Sequence, residues 1–234
     1  MPSKSKEGHS AKQVSSAKFN ASEKTGVFHR VRFLLYSFLK RVLDILLSTS
    51  FLIILFPLFI IVAILIKIDS RGPVFFRQER TGKNGKVFRI CKFRSMTVDN
   101  DMRDTSCEDK YTRVGRILRR TSIDELPQLF NVFFGQMSFI GPRPWVVEYW
   151  ENMNEVERGR AKVRPGITGL AQAKGRNGLS IFEKIGYDLE YVEHFSLWQD
   201  IKVIILTIVT VVKGEEVNVG KSGIRDEIGA LKAR

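Results

Sequence analysis

The sequence predicts an α+β protein that is mostly α: a re-entrant N-terminal membrane helix, then a compact cytoplasmic domain with a β-hairpin and interfacial helices. Three observations predict it. An uncharged apolar run, Ile45–Ile66, matches the roughly 20 residues that cross a bilayer core. Lys and Arg flank both ends of that run. Past Gly72-Pro73 the pattern changes to short alternating runs and loops punctuated by Gly and Pro.

The whole-chain balance agrees with a membrane partner. The 234 residues carry a formal net charge of +13 and 44% hydrophobic residues, including 17 Phe. Such charge calls for polyanions: nucleic acid, an anionic lipid surface or phosphate-bearing substrates. Nucleic acid is set aside, because no recognition-helix, zinc-finger or RNP-like pattern occurs and the basic residues bracket an apolar segment. An anionic membrane explains the same charge at ~1 kcal/mol per nearby basic residue. The two cysteines, Cys91 and Cys107, make no disulfide framework or zinc spacing and read as free thiols of a reducing cytosol.

Residues 1–28 are rich in Ser, Lys, Ala and Gly without amphipathic period, so a disordered basic tail is expected. No apolar stretch near the start suggests a conventional signal peptide. The membrane-associated region follows at 29–71. Its apolar run is too long and uniform for a buried core helix. Arg30, Arg32, Lys40 and Arg41 precede it; Lys67, Arg71, Arg77 and Arg80 follow it. Positive residues on both flanks mark both ends as cytoplasmic. A helix broken at Pro57 satisfies this by entering and leaving through one face, since proline removes a donor and clashes with the preceding turn. Ser48, Thr49 and Ser50 are placed to satisfy backbone groups at depth. A kinked ordinary span is the alternative.

The domain proper covers 72–220, with a C-terminal tail at 221–234. Val74–Gln78 and Val87–Phe93, separated by a loop with Gly82 and Gly85, read as a β-hairpin. The loop TGKNGK lacks the Walker spacing, and no dinucleotide fingerprint occurs. From Tyr111 a helix puts Arg113, Arg116 and Arg120 on one face and Val114, Ile117 and Leu118 on the other. FIGPRPW (139–145) and VRPGITGLAQAKGRNG (163–178) are turn-rich loops that present guanidinium forks. Ile201–Val212, an apolar run too short to span, reads as a core or interfacial helix.

Two acidic groups compete for chemistry. In RRTSIDELPQLF, Asp124 and Glu125 are adjacent, after arginines and before Pro127. Ser122 and Glu125 have the spacing of a capping box, so the pair can be the charged start of a helix. The same position also suits an ionised nucleophile or metal ligand. The second group is Asp99-Asn100-Asp101, a D-x-D triplet of the kind that holds a nucleotide diphosphate through a divalent metal.

Four stretches then settle the comparison with known families. KRVLDILLS, GPVFFRQERTGKNGKVFRICKFRSM, LRRTSIDELPQLFNVFFGQMSFIGPRPW and RPGITGLAQAKGRN, in this order over about residues 39–220, resemble the bacterial sugar transferases, the small monotopic polyprenyl-phosphate phosphoglycosyl transferases. The resemblance implies an enzyme on the cytoplasmic face of the bacterial inner membrane. It would move a sugar-1-phosphate from a nucleotide diphosphate sugar, UDP-linked by expectation, to polyprenyl phosphate, typically undecaprenyl phosphate. It would release a nucleoside monophosphate, at the first membrane step of surface polysaccharide or glycoconjugate assembly.

By the same resemblance Asp124 is the nucleophile that forms a covalent phosphosugar intermediate, and Glu125 is its partner. Mg2+ is the cofactor, held by Asp124 and Glu125. Arg119, Arg143 of GPRP, and Lys92 and Arg94 of KFR match basic residues that contact phosphate or nucleotide. One departure is Phe56 before the membrane proline, where some relatives carry Ser. The sugar, the pathway and the oligomeric state (a homo-oligomer included) stay open, as do two rivals: a metal-dependent glycosyltransferase built on Asp99 and Asp101, and a non-catalytic membrane scaffold.

Overall fold

The computed structural model describes residues 7–97, 111–175, 178–212 and 224–233, with side chains from residue 30 onward except at 211, 212, 224 and 225. Asp99, Asp101, Cys107, Arg176 and Asn177 therefore lie outside the described residues. Two compact units divide the chain, 1–40 and 41–234. The first is helical from Glu7, inside the segment expected to be a tail. Its Ala, Lys and Glu are adequate helix formers.

The second unit is mostly helical with two small sheets. It opens with the C-terminal part of α1 (Glu7–Ile54), followed by α2 (Phe56–Asp69). The axes bend by 60° at Leu55, and Pro57 occupies the first turn of α2. Pro57 has no N–H for the preceding turn, so the ladder must restart there. Ser48 and Thr49 donate to the Ile45 carbonyl, and Ser50 to that of Leu46, at 2.8–3.2 Å. These hydroxyls thus add a second bond to carbonyls of the helix two turns ahead of the break. Among the described residues no single helix is long and apolar enough to cross a membrane, whereas this bent pair passes by length and composition.

The hairpin pairs β1 (Phe75–Thr81) with β2 (Val87–Phe93), Thr81 opposite Val87 and Phe75 opposite Phe93. β1 runs three residues beyond the predicted Gln78, because Glu79, Arg80 and Thr81 keep the ladder up to a tight turn. Asn84 and Gly85 take left-handed φ values of 55° and 77° there. At the other end, Phe93 stacks on Phe75 and packs with Phe59, Val62 and Ile66 of α2 and Leu118 of α3 (Arg113–Arg120). That cluster sits the hairpin on the broken helix.

Helix α3 starts at Arg113, after Thr112, whose side chain accepts from the Gly115 N–H. Val114 and Leu118 pack inward, but Ile117 is exposed, against the predicted three-residue stripe. Helix α4 (Gln128–Phe133) packs on β2 through Val132, which is buried with Phe88, Ile90 and Met137. A short parallel pair, β3 (Ser138–Ile140) and β4 (Gly166–Thr168), follows, too brief for sequence alternation to reveal.

Helices α5 (Val147–Glu151), α6 (Glu155–Arg158), α7 (Leu170–Gly175), α8 (Ile181–Glu193), α9 (Leu197–Val212) and α10 (Ile224–Lys232) complete the unit. The C-terminal segment, read as a tail, is helical in α10: Ile228 and Leu231 are buried against Trp145, Tyr149, Ile181 and Ile185. Helix α9 buries Val203 but exposes Leu197, Trp198, Ile204, Ile205, Ile208 and Val209, so it is only half a core helix.

Candidate active site

The site is assembled from β2, the end of α3, the turn that follows, and the loop after β3. In β2, Phe88 and Ile90 are buried, and Lys92 continues the same face at period two. Its ammonium therefore points inward and donates to Glu125 at 2.6 Å. The acidic pair lies in a 3₁₀ turn, Ile123–Glu125, not at the start of an α-helix.

That turn corrects the capping-box expectation. Ser122 adopts a left-handed conformation (φ 57°) and its side chain makes no capping bond. Glu125 is drawn instead to Lys92, 33 residues away in sequence. A non-glycine residue in this region costs about 1–3 kcal/mol and persists only where its surroundings impose it. Here the reversal at Ser122 joins α3 to the turn that packs against β2. Thr121 supports the end of α3 by donating to the Ile117 and Leu118 carbonyls.

The predicted residues divide into two groups. Asp124 is 8% exposed. Arg143 approaches Glu125 at 3.8 Å while its own side chain stays half exposed. Arg119 stacks over Tyr111 at 4.8 Å and its charge acts on both carboxylates. Arg94 has a different post. It is buried and donates to the Arg71 carbonyl at 2.6 Å and to the Ser70 carbonyl and hydroxyl at 2.8 Å. It ties the end of β2 to the end of α2. Arg94 therefore serves as an anchor between the hairpin and the broken helix.

The electrostatics separate the two neighbours. Burial pushes Asp124 above the usual carboxylate range; Lys92 opposes this and the Glu125 charge adds to it. Burial would raise Glu125 as well, but Lys92 and Arg143 outweigh it and hold Glu125 below its ordinary value. Glu125 is thus the committed anion of the site, and Asp124 the carboxylate with the less compensated charge.

One further cation belongs here. Arg80, counted in the sequence only as a membrane flank, is half-buried on the same hairpin face as Lys92. Burial and the neighbouring Arg143 lower it to about 10, while Tyr149 and Glu125 pull the other way. The alternation Gln78, Arg80 opposite Ile90, Phe88 was the available signal. Lys92, Arg119, Arg143 and Arg80 then stand against two carboxylates, a surplus of positive charge suited to a phosphate-rich ligand.

The donor set can be tested against a metal. Among the described residues no three His, Cys, Asp or Glu side chains are grouped to hold an ion. Mg2+ requires less: it commonly uses one or two carboxylates, with substrate phosphates and water completing its shell. Asp124 and Glu125 fit that pattern.

The family model described as bacterial sugar transferase matches residues 35–214. The chain belongs to the bacterial sugar transferase family. Among its relatives, a Klebsiella pneumoniae protein named UDP-glucose:undecaprenyl-phosphate glucose-1-phosphate transferase is 48% identical over 181 residues, covering 72% of this chain and 39% of the relative. A protein of the same name from Escherichia coli (strain K12) is 45% identical over 182 residues, covering 73% and 39%. The exopolysaccharide production protein PSS of Rhizobium leguminosarum bv. phaseoli is 43% identical over 188 residues, covering 74% and 94%. This bacterial sugar transferase thus spans well under half of the first two relatives and nearly all of the third.

The loop Gly141–Trp145 shows how the fold holds this arginine. The Pro142 carbonyl accepts from the Gly166 N–H (3.0 Å) and that of Arg143 from Arg160 (2.6 Å). The Pro144 carbonyl accepts from Arg80 (3.4 Å) and that of Trp145 from the Thr81 N–H (2.8 Å). Gly166 is required for this closeness, since a Cβ there would lie 2.1 Å from the Gly141 nitrogen.

Proposed function

We propose that this protein transfers a sugar-1-phosphate from a UDP-sugar to undecaprenyl phosphate at a cytoplasmic membrane face, through an intermediate on Asp124. The observation that carries the reading is one short turn holding two carboxylates beneath a surplus of lysine and arginine. An anionic nucleophile reaches a diphosphate only where cations offset the repulsion. Arg119, Arg143 and Arg80 supply that compensation, with Lys92 keeping Glu125 ionised and in place.

In the first step an Asp124 Oδ forms a bond to the β-phosphorus, and the bond from that phosphorus to the bridging oxygen breaks. UMP leaves with that oxygen. In the second step a phosphate oxygen of the lipid bonds to the phosphorus, and the Asp124 carboxylate leaves unchanged. Mg2+ bound by Asp124 and Glu125 would supply further neutralisation of the diphosphate. The scheme converts one difficult substitution into two, the usual gain of covalent catalysis.

The broken helix supports the membrane part of the reading. Exposed apolar residues line both arms, among them Leu46, Phe51, Ile54, Ile61, Ile64 and Ile68. Basic residues stand at both ends. A re-entrant α1–α2 hairpin would keep the site at the interface, where a lipid phosphate lies. Names of relatives that specify UDP-glucose make glucose the first sugar to try.

The test is the nucleotide product. With UDP-glucose and undecaprenyl phosphate, UMP is expected; release of UDP would reject the reading and favour a glycosyltransferase acting through Asp99 and Asp101.

A further inference from the structure

We infer that Arg160 is a positioning residue that acts through Arg143. Arg160 is 5% exposed and sits over the Trp145 ring at 4.0 Å. Its Nε and Nη2 both donate to Asp188 Oδ2, at 3.0 and 2.6 Å, and Nη2 also donates to the Arg143 carbonyl at 2.6 Å. One guanidinium thus bridges two elements: α8 through Asp188, and the loop before α5 through both the Trp145 ring and the backbone of Arg143, the arginine that faces Glu125.

The geometry explains why an arginine stands here. Only a planar fork can serve the carboxylate and the carbonyl together while lying flat on an indole. Arg143 lies between Pro142 and Pro144, which fix φ on either side and remove two backbone donors. From Pro142 to Trp145 the loop is held by its carbonyls, and the bond to Arg143 comes from a buried, charged donor. Arg160 reaches Asp188, the Trp145 ring and the Arg143 carbonyl, so its influence on the acidic pair is through where Arg143 begins.

The turnover arm rests on the proposed function; a second arm does not. Arg160→Lys keeps a cation for Asp188 and loses the fork. With UDP-glucose and undecaprenyl phosphate, kcat is expected to fall about tenfold, the worth of one charged hydrogen bond. KM should change little. In an Arg143→Ala background the same change should cost nothing further. Multiplicative losses, or wild-type turnover of Arg160→Lys, would overturn the proposal. If wild type itself releases no UMP, the functional reading fails, and the second arm decides the positioning alone. That arm is hydrogen exchange at the amides of Thr81 and Gly166, which pin the loop on either side of Arg143. Arg160→Lys should speed both while leaving Ile90 in mid-hairpin unchanged. Unchanged exchange at Thr81 and Gly166, or a uniform rise that includes Ile90, would refute it.

Discussion

At the corner where the hairpin meets α2, basic side chains are tied to backbone. Arg94 donates to Ser70 and Arg71, and Lys67 donates to the Gly72 carbonyl. Around the acidic pair the same residue types behave otherwise: Arg143 and Arg119 are exposed enough to meet solvent, and cations outnumber carboxylates. Lys92 and Arg94, two residues apart in one KFR motif, fall on opposite sides of this divide. A basic residue tied to backbone carbonyls holds the fold; one left with charge to spare can hold a ligand.

The contrast is sharpest at Asp124. Asp124→Asn should lower kcat by about 10⁴-fold or more, as expected when a nucleophile is removed. It should leave the melting transition intact; a collapse of stability would make Asp124 a structural residue and erase the divide.

The arginines should split next. Arg94→Ala leaves the Ser70 and Arg71 carbonyls without their charged donor and should cost roughly 2–4 kcal/mol of stability by chemical denaturation. Arg143→Ala should change stability by less than about 1 kcal/mol, since its partner lies 3.8 Å away at a half-exposed side chain. Its effect should fall on kcat/KM, by about 10²-fold. The reverse pattern would break the comparison.

A smaller effect separates Asp124 from Glu125. Asp124 is raised on folding, chiefly by burial, so the folded state holds its proton more tightly than the unfolded chain. Stability from that proton is present at low pH and lost as pH rises through the raised value. Asp124→Asn should therefore be slightly more stable than wild type at neutral pH, and the gap should close on acidification. Glu125 is lowered: burial is outweighed by Lys92 and Arg143. Its contribution is present above the ordinary glutamate range and lost as pH falls through the depressed value, so Glu125→Gln should be less stable at neutral pH. Thermal melts across pH, in EDTA, check both signs.

Local patterns made much of this legible. Alternation revealed the hairpin, Pro57 marked the break, and Asp124-Glu125 stood out beside arginines. What failed were inferences that took sequence neighbours for structural ones. Ser122 and Glu125 have capping spacing, yet Lys92 captures the glutamate from another element. Ile117 has the period of the buried stripe, but α2 covers only Val114 and Leu118 of it. Arg80 was hidden by its use as a membrane flank. Arg160 carries no local signal, because its partners at 143, 145 and 188 meet only in the fold.

The central claim is that Asp124 carries the phosphosugar. Purified protein incubated with UDP-glucose and no lipid acceptor, then quenched and digested, should give by mass spectrometry a peptide bearing hexose phosphate at Asp124, with matching UMP. Adding undecaprenyl phosphate should discharge it. Full turnover to lipid product with no adduct under any quench, or an adduct on another residue, would contradict the account.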